Sequence, residues 1–196
     1  MIAVIDYKAG NLTSVMKALH AVGANAIATS DPATVLQADK LVLPGVGHFS
    51  ATSFLDEHGL RSTITERVQR GAPFLGICVG LQWLFEGSSE SPDTSGFKTF
   101  PGRCERFADW MKVPHVGWNS LEVRESRLLQ GIASGDFVYF THSYYAPVLN
   151  ETVAVTEYGV AFTAAVERGN IMGVQFHPEK SGQVGLRILD NFVRLA

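Results

Sequence analysis

The chain has 196 residues, of which 46% are hydrophobic and 18% are charged, and its formal net charge is −3. This composition is typical of a globular protein and excludes a disordered or fibrous chain. A chain of this length buries roughly 70% of its unfolded surface, so residues 1–196 are predicted to form a single domain. The slight negative charge and the lack of a basic run argue against nucleic acid as the principal partner.

The start of the chain and its cysteines bear on the compartment. Residues 1–6 lack a positively charged region and a cleavage site, so we expect no signal peptide, and no stretch is long and apolar enough to predict a membrane span. Cys78 and Cys104 lie in neither a CxxC pair nor a zinc-ligand spacing, which argues against a disulfide framework or a metal site. A cytoplasmic protein with free thiols is the expectation, without contact with a membrane.

Strands and helices are predicted to alternate over the first eighty residues. Short apolar runs predict strands at residues 2–5, 25–29, 40–43 and 74–77. Apolar residues at helical spacing predict a helix from residue 12 with Gly23 as its C-cap, a short helix that starts at 30–32, and helices at 49–58 and 60–69. This alternation is typical of right-handed βαβ units around a parallel sheet.

The second half is predicted to be richer in strands. Residues 87–101 are rich in Ser, Gly, Pro and Thr and predict a surface loop. Strands are predicted at 102–107, 112–123, 137–145, 152–157, 161–167 and 171–176, followed by a last helix at 183–195. The expected fold is therefore α/β: an open, twisted, mostly parallel central sheet flanked by helices, with additional β-strands in the C-terminal half.

The most informative stretch follows the strand predicted at 74–77. Gly76 and Gly80 flank Cys78 at i−2 and i+2, which is the spacing of a tight strand-to-helix turn that carries a nucleophile. The helix is predicted to include residues 81–85. A thiolate is stabilised by the positive field at a helix N-terminus. A small buried cysteine at a βα junction is the alternative, but the two glycines favour a nucleophile.

A second glycine-rich turn, Gly45-Val46-Gly47, follows the strand predicted at 40–43. As a dinucleotide-binding fingerprint it is weak, because Ser50 stands where a third glycine belongs. Ligands of open α/β sheets bind at the carboxyl ends of the strands, so we expect this turn to lie on the same edge as Cys78. Its backbone N–H groups could then face an oxyanion; a plain glycine-rich turn is equally compatible with the sequence.

Among six histidines, His177 is the best candidate for a base that serves Cys78. It follows a predicted strand, and Pro178 favours an extended backbone at His177. In an extended segment His177 and Glu179 point the same way, so that Glu179 could fix the tautomer of the imidazole ring. The other five are predicted in helical stretches or strands: His20, His48, His58, His115 and His142.

These motifs closely resemble those of the class I (triad) glutamine amidotransferases. The resemblance extends over the whole chain, and the residues 44–47, 114–119, 142–144 and 177–182 are similar to the glutaminase subunits of imidazole glycerol phosphate synthases. It implies a glutaminase in which Cys78 attacks the carboxamide of glutamine and His177, supported by Glu179, transfers protons. No cofactor or metal is implied.

The resemblance also implies binding and partner residues. Glutamine and its oxyanion would be held by Gly45, Val46, Gly47, Val79, Gln82, His142, Ser143 and Tyr144. Ammonia would pass to a cyclase subunit of (β/α)₈ fold in a heterodimer, with contact positions at or near Asn11, Trp118, Asn119 and Lys180. Without the resemblance, Trp118 would be predicted as a core aromatic residue.

Two alternatives remain open at this point. One is a class I glutaminase subunit that serves pyridoxal phosphate, anthranilate or guanylate synthesis, which would share the triad but not the motifs around Trp118-Asn119 and Lys180-Ser181. The other is a non-catalytic, flavodoxin-like binding module with an incidental cysteine. Inactivation by a glutamine-mimicking alkylator would distinguish an enzyme from such a module.

Overall fold

The computed structural model describes residues 1–195, and residue 196 lies outside the described part. The strands are β1 (Ile2–Ile5), β2 (Ala26–Thr29), β3 (Lys40–Leu43), β4 (Phe74–Ile77), β5 (Gly87–Ser88), β6 (Ser91–Ser95), β7 (Arg103–Arg106), β8 (His115–Ser120), β9 (Glu122–Val123), β10 (Phe137–His142), β11 (Tyr144–Tyr145), β12 (Thr152–Glu157), β13 (Ala161–Arg168) and β14 (Ile171–Val174). The helices are α1 (Leu12–Ala21), α2 (Pro32–Gln37), α3 (Ser53–Glu57), α4 (Leu60–Gln69), α5 (Val79–Trp83) and α6 (Gly182–Arg194), with 3₁₀ turns at Phe49–Thr52 and Pro178–Lys180.

An eight-stranded sheet organises the molecule, in the order β2-β1-β3-β4-β14-β13-β12-β9. The pairings from β2 through β14 are parallel, and those of β13, β12 and β9 are antiparallel. The predicted fold class, an α/β protein with a mostly parallel sheet and extra C-terminal strands, is confirmed.

The central strands are buried on both faces, which explains their unbroken apolar sequences. All four residues of β1 and of β4 are buried, as are three of the four in β3. The strand order reverses direction between β1 and β3, and ligands of doubly wound sheets bind beside such a switch point. The loop after β1 therefore lies against the turn after β3: a Cβ at Gly10 would be 3.7 Å from the Pro44 carbonyl oxygen.

Two smaller sheets accompany the main one. β8 and β10 form an antiparallel pair in which Trp118 lies opposite Tyr139 and His115 opposite His142. A four-stranded sheet has the order β11-β7-β5-β6. Residues of β10 and β11 reach the cavity beside Cys78, as described below.

The prediction of a surface loop at residues 87–101 is wrong over part of its length, because β5 and β6 lie there. β6 is an edge strand of Ser, Pro, Asp and Thr with no apolar alternation, so periodicity could not reveal it. It is held by pairing with β5 and by the Arg103 guanidinium, which donates to the carbonyls of Ser88 and Pro92 at 3.1 Å.

Several predicted boundaries also need correction. The strand predicted at 112–123 begins only after Pro114 and is divided into β8 and β9, and that predicted at 137–145 is interrupted at Ser143. The helix predicted at 49–58 starts as a 3₁₀ turn, whose N-cap His48 accepts from the Ser50 N–H. The helix predicted to include residues 81–85 is α5, which starts directly after Cys78 and ends at Trp83, earlier than predicted.

Within residues 1–195, the helices are too short or too polar for any of them to cross a membrane.

Candidate active site

Cys78 occupies a strained turn between β4 and α5. Its backbone has φ 54° and ψ −106°, which a residue with a side chain adopts only where the surrounding structure enforces it. The two flanking glycines are required by close packing. A Cβ at Gly76 would lie 2.3 Å from the Gly80 carbonyl oxygen, and a Cβ at Gly80 would lie 2.0 Å from that of Leu43. The predicted strand-to-helix turn at Cys78, which we call the elbow, therefore depends on glycine at both flanking positions, because a side chain at either would clash with the backbone.

His177 and Glu179 form a buried pair on the same edge of the sheet. His177 Nδ1 lies 2.9 Å from Glu179 Oε1, and the side chains are 1% and 2% exposed. The backbone of His177 is extended, as predicted, with φ −100° and ψ 97°. Glu179, however, lies in a 3₁₀ turn and not in an extended segment, so the turn after Pro178 brings the two side chains together.

The surroundings of His177 favour its protonated form. Burial acts to lower the pKa of His177, but Cys78 and the Glu179 carboxylate outweigh it and raise that pKa to about 10. Cys78 acts on the pKa of His177, but His177 Nε2 has no hydrogen-bond partner among the described residues. Catalytic hydrogen bonds are often loose before substrate binds.

Two residues that sequence reasoning missed contact the thiol. Gln175 Nε2 donates to Cys78 Sγ at 3.5 Å, and Sγ lies 4.0 Å from the Thr141 carbonyl oxygen. Gln175 lies 97 positions from Cys78 in the chain, in a bend after β14, so no local pattern of the sequence marks it.

A cavity of about 260 Å³ opens beside Cys78. Besides Cys78, its lining contains all but Gly45 of the residues predicted to bind glutamine, which are Val46, Gly47, Val79, Gln82, His142, Ser143 and Tyr144. Glu90, Pro114 and Thr141 also line the cavity and were not predicted. Its volume is slightly below the roughly 300–1,000 Å³ of pockets for drug-sized ligands, which suits a small molecule.

Gln82 is more constrained than the sequence suggested. Its Nε2 donates to the Tyr144 carbonyl at 3.0 Å and to Gln175 Oε1 at 3.1 Å. Both hydrogens of the amide are therefore used within the protein, which leaves its oxygen for a ligand.

The turn after β3 blocks one potential oxyanion donor. The Val79 N–H, at the start of α5, donates to the Gly45 carbonyl oxygen at 3.4 Å. Gly45 is buried, and a Cβ there would lie 2.2 Å from Tyr7 Oη and 2.7 Å from Val79 Cβ. In this conformation the Gly45 carbonyl oxygen engages the N–H of Val79, a residue that lines the cavity beside Cys78.

The residues predicted to contact a partner lie outside the cavity. Asn11 caps α1 by accepting from the Ser14 N–H at 3.3 Å. Trp118 is 55% exposed, so the core position expected from its aromatic character alone is wrong. Its ring packs edge to face against that of Tyr139, with the two ring centroids 6.1 Å apart. Lys180 Nζ lies 5.7 Å from the centroid of the same Tyr139 ring. Asn119 lies on the opposite face of β8, with its Nδ2 bonded to the Glu157 carbonyl at 3.0 Å.

A larger groove of about 890 Å³ is lined by Arg124, Arg127 and Glu167, among others. Two of its charged groups are paired with each other, since Arg127 Nε donates to Glu167 Oε1 at 2.8 Å. Within residues 1–195, no cluster of His, Cys, Asp and Glu is arranged to hold a metal ion.

Comparison with known proteins agrees with this geometry. The sequence model of the family "Glutamine amidotransferase class-I" matches residues 3–196. The chain is 52% identical to "Imidazole glycerol phosphate synthase subunit HisH" of Methanothermobacter thermautotrophicus, with 100% of this chain and 98% of that protein covered. It is 50% identical to the subunit of the same name from Thermococcus kodakarensis, with both chains covered completely.

Among solved structures, one described as "Crystal structure of glutamine amidotransferase" is similar with a TM-score of 0.79 at 20% identity, and both chains are covered completely. "Structure of PurLQS from Thermotoga maritima" has a TM-score of 0.73 at 18% identity, with 97% of this chain and 96% of that chain covered. These likenesses show the fold. The family match and the sequence relatives establish that the chain belongs to the class I glutamine amidotransferase family and, within it, to the HisH subunits of imidazole glycerol phosphate synthase.

Proposed function

We propose that this chain hydrolyses glutamine to glutamate and ammonia, and that it supplies the ammonia to the cyclase subunit of an imidazole glycerol phosphate synthase. The observation that carries the proposal is the elbow at Cys78, which holds a thiol at the edge of the sheet where the buried His177–Glu179 pair also lies. A nucleophile, a base and an orienting carboxylate are the three groups that acyl transfer through a thioester requires.

The reaction follows from these three roles. The Cys78 thiolate adds to the carboxamide carbon of glutamine, and the C–N bond breaks as His177 gives a proton to the departing ammonia. Water then adds to the glutamyl thioester while His177 takes a proton from it, and collapse releases glutamate and the thiolate. Glu179 keeps His177 in orientation throughout, through the 2.9 Å contact with Nδ1.

The cavity beside Cys78 is the proposed glutamine site. It is bounded by the turn after β3, by α5 and by the segment from Thr141 to Tyr144. A chain with this function needs its thiol reduced, which is the state that the cytoplasm maintains, and both cysteines are free here.

The resting chain is proposed to be largely latent. An oxyanion hole needs backbone N–H groups that already point at the developing charge, and loss of one donor costs about 10²–10³ in rate. Here the Val79 N–H is occupied by the Gly45 carbonyl. A flip of the Gly45–Val46 peptide would free the Val79 N–H and turn the Val46 N–H toward the same place. Because Val46 is β-branched and tolerates positive φ poorly, the flip needs support from the partner and its ligand.

The proposed contact surface for the cyclase is the outer face of β8 and β10. Val116, Trp118 and Phe137 are 56%, 55% and 55% exposed and belong to this face. Together with Tyr139 and Lys180 they form what we call the docking strip. Aromatic residues such as Trp118 and Tyr139 are typical anchors of protein interfaces.

The proposal is tested with Cys78→Ser in the complex with a candidate cyclase. Glutamate release should be lost, because a serine hydroxyl at this site is not ionised as a nucleophile must be, while synthesis from added ammonium should continue. Cys104→Ala is the matched control, since Cys104 is buried outside the cavity and should not be needed for turnover. Glutamate release by Cys78→Ser at the wild-type rate would refute the proposal.

A further inference from the structure

Two buried histidines on the face of β8 and β10 opposite the docking strip are joined by hydrogen bonds. His142 Nδ1 lies 2.8 Å from the Tyr144 carbonyl oxygen, and His142 Nε2 lies 3.1 Å from His115 Nδ1. His115 Nε2 lies 3.4 Å from Asn119 Nδ2. The series runs from β8 across to β10 and ends in the segment that lines the cavity.

The hydrogen-bond partners determine which nitrogen of each ring carries the proton. A backbone carbonyl only accepts, so His142 must carry its proton on Nδ1 to donate to Tyr144. Neutral His142 then accepts at Nε2, and His115 must therefore donate from its own Nδ1. His115 Nε2 is left as an acceptor, which fits the amide N–H of Asn119. All the donors consequently point in one direction, from Asn119 to Tyr144.

The surroundings keep both rings neutral and fixed in place. Burial lowers the pKa of His142 to about 3 and that of His115 to about 4, so neither ring is charged near neutral pH. The His115 ring is stacked between Tyr158 and Phe140, with ring centroids 4.0 Å and 4.9 Å away.

The Tyr144 carbonyl at the end of the series is shared with the network around the thiol. It also accepts from Gln82 Nε2 at 3.0 Å. Gln82 contacts Gln175, whose amide donates to Cys78 Sγ at 3.5 Å. A change in the orientation of this one carbonyl would therefore reach both the wall of the cavity and the groups beside the thiol.

We propose that His115 and His142 are positioning residues, and that their one-way series of donors from Asn119 holds the Tyr144 carbonyl and so sets the shape of the glutamine site. His142, although it lines the cavity beside Cys78, acts as a fixed donor and not as a second base. The inference rests on the proposed glutaminase function. It also gives partner docking a physical route to the cavity, because Asn119 is adjacent in β8 to Trp118 of the docking strip.

Two substitutions of His115 separate hydrogen bonding from packing. His115→Asn loses the ring but keeps an N–H donor near the position of Nδ1, whereas His115→Phe keeps a stacked ring and has no donor. Glutamate release is measured in the complex with the cyclase and its ribotide ligand. We expect KM for glutamine to stay within about 3-fold of wild type in His115→Asn and to rise about 10-fold in His115→Phe, with kcat changed less in both.

The protonation states are tested separately by ¹⁵N NMR of the histidine rings. We expect both His115 and His142 to carry the proton on Nδ1 in the wild-type chain. Protonation on Nε2 in either ring would overturn the inference. So would near-normal KM in His115→Phe, or equal impairment in the two variants, because packing alone would then explain the role of the ring. If the wild-type complex releases no glutamate, the proposed function fails, while the NMR result still decides the arrangement of protons.

Discussion

At the scale of single residues, Tyr7 stands out because its hydroxyl is buried beside the turn after β3. The residue is 1% exposed, and Tyr7 Oη has no hydrogen-bond partner among the described residues. Burial, and to a lesser degree the charge of Cys78, raises the pKa of this phenol well above its usual value, so it remains a neutral hydroxyl. A buried hydroxyl without a partner costs about 1–3 kcal/mol.

We therefore predict that Tyr7→Phe stabilises the chain by about 1 kcal/mol, because it removes the unpaired group and keeps the ring. Tyr158→Phe is the matched control: its hydroxyl donates to the Lys112 carbonyl at 2.8 Å, and its loss should destabilise by about 1 kcal/mol. Urea unfolding measures both changes. Equal destabilisation by the two substitutions would mean that Tyr7 Oη is hydrogen-bonded after all.

Glu179 offers a second residue-scale prediction, on the pH dependence of the reaction. Because the Glu179 carboxylate raises the pKa of His177, Glu179→Gln should lower it. His177 must be protonated to release ammonia, so the alkaline limb of the kcat/KM profile should move to lower pH. The rate should also fall by at least about 10², since the imidazole loses its orienting partner. A profile with an unmoved alkaline limb would contradict the assigned role.

The sequence revealed those site residues whose role depends on local spacing. Cys78 between two glycines and His177 before Pro-Glu could be recognised because each motif is shaped by its immediate neighbours. Gln175 and the bond between His115 and His142 could not, because they depend on contacts between residues 97 and 27 positions apart. No periodicity encodes such contacts.

At the scale of elements, the close approach of α5 to β3 and β4 determines the geometry of the elbow. Gly80→Ala would place a Cβ 2.0 Å from the Leu43 carbonyl oxygen, a backbone atom that cannot move aside. We predict destabilisation by about 3 kcal/mol, with loss of glutamate release. Gly173→Ala is the graded control: its Cβ would meet only side chains of Leu81 and Leu84, at 3.1 Å, and should cost about 1 kcal/mol. Chemical unfolding compares the two, and equal costs would exclude backbone contact as the cause.

Element prediction succeeded for strands that carry their own pattern. β3, β4 and β12 have the predicted bounds, since each is an apolar or alternating run with clear ends. β6 was missed because an exposed edge strand has no buried face to impose alternation on its residues. Likewise, the interruption between β10 and β11 lies at Ser143, which lines the cavity. The sequence across it is continuously β-rich and does not indicate the break.

At the scale of the whole molecule, the neutral histidine pair makes stability depend on pH. The folded-state pKa values of His115 and His142 lie below the value of about 6.5 that an unfolded histidine has. The contribution of these two histidines to the free energy of unfolding is therefore present above about pH 6.5. It is lost as the pH falls toward about 4, because the unfolded chain takes up protons that the folded chain does not.

We predict that the free energy of unfolding falls between pH 6.5 and 4.5 by up to about 1.4 kcal/mol per pH unit for each of the two groups. The stabilising contribution of His177 has the opposite sign, because its folded pKa is raised: it is present below about pH 6.5 and lost toward about pH 10. Urea unfolding at several pH values measures the slope. A stability that does not change from pH 6.5 to 4.5 would show that the two rings are not buried in their neutral form.

Association with a partner is the largest-scale property that the structure allows us to test. The docking strip exposes Val116, Trp118 and Phe137 together on one face of a two-stranded sheet, and apolar residues grouped in this way on a surface are typical of an interaction site. Trp118→Ala should weaken binding of the cyclase about 10-fold, since a buried aromatic anchor commonly contributes more than 1 kcal/mol.

The same substitution should lower the ratio of product formed to glutamine consumed, because a looser junction lets ammonia escape. Leu36→Ala is the control: Leu36 is 36% exposed on α2, remote in the chain from β8 and β10, and should change neither quantity. Titration calorimetry gives the affinity, and paired assays of glutamate and product give the ratio. If both are unchanged in Trp118→Ala, the outer face of β8 and β10 is not where the partner binds, and the exposed tryptophan needs another explanation.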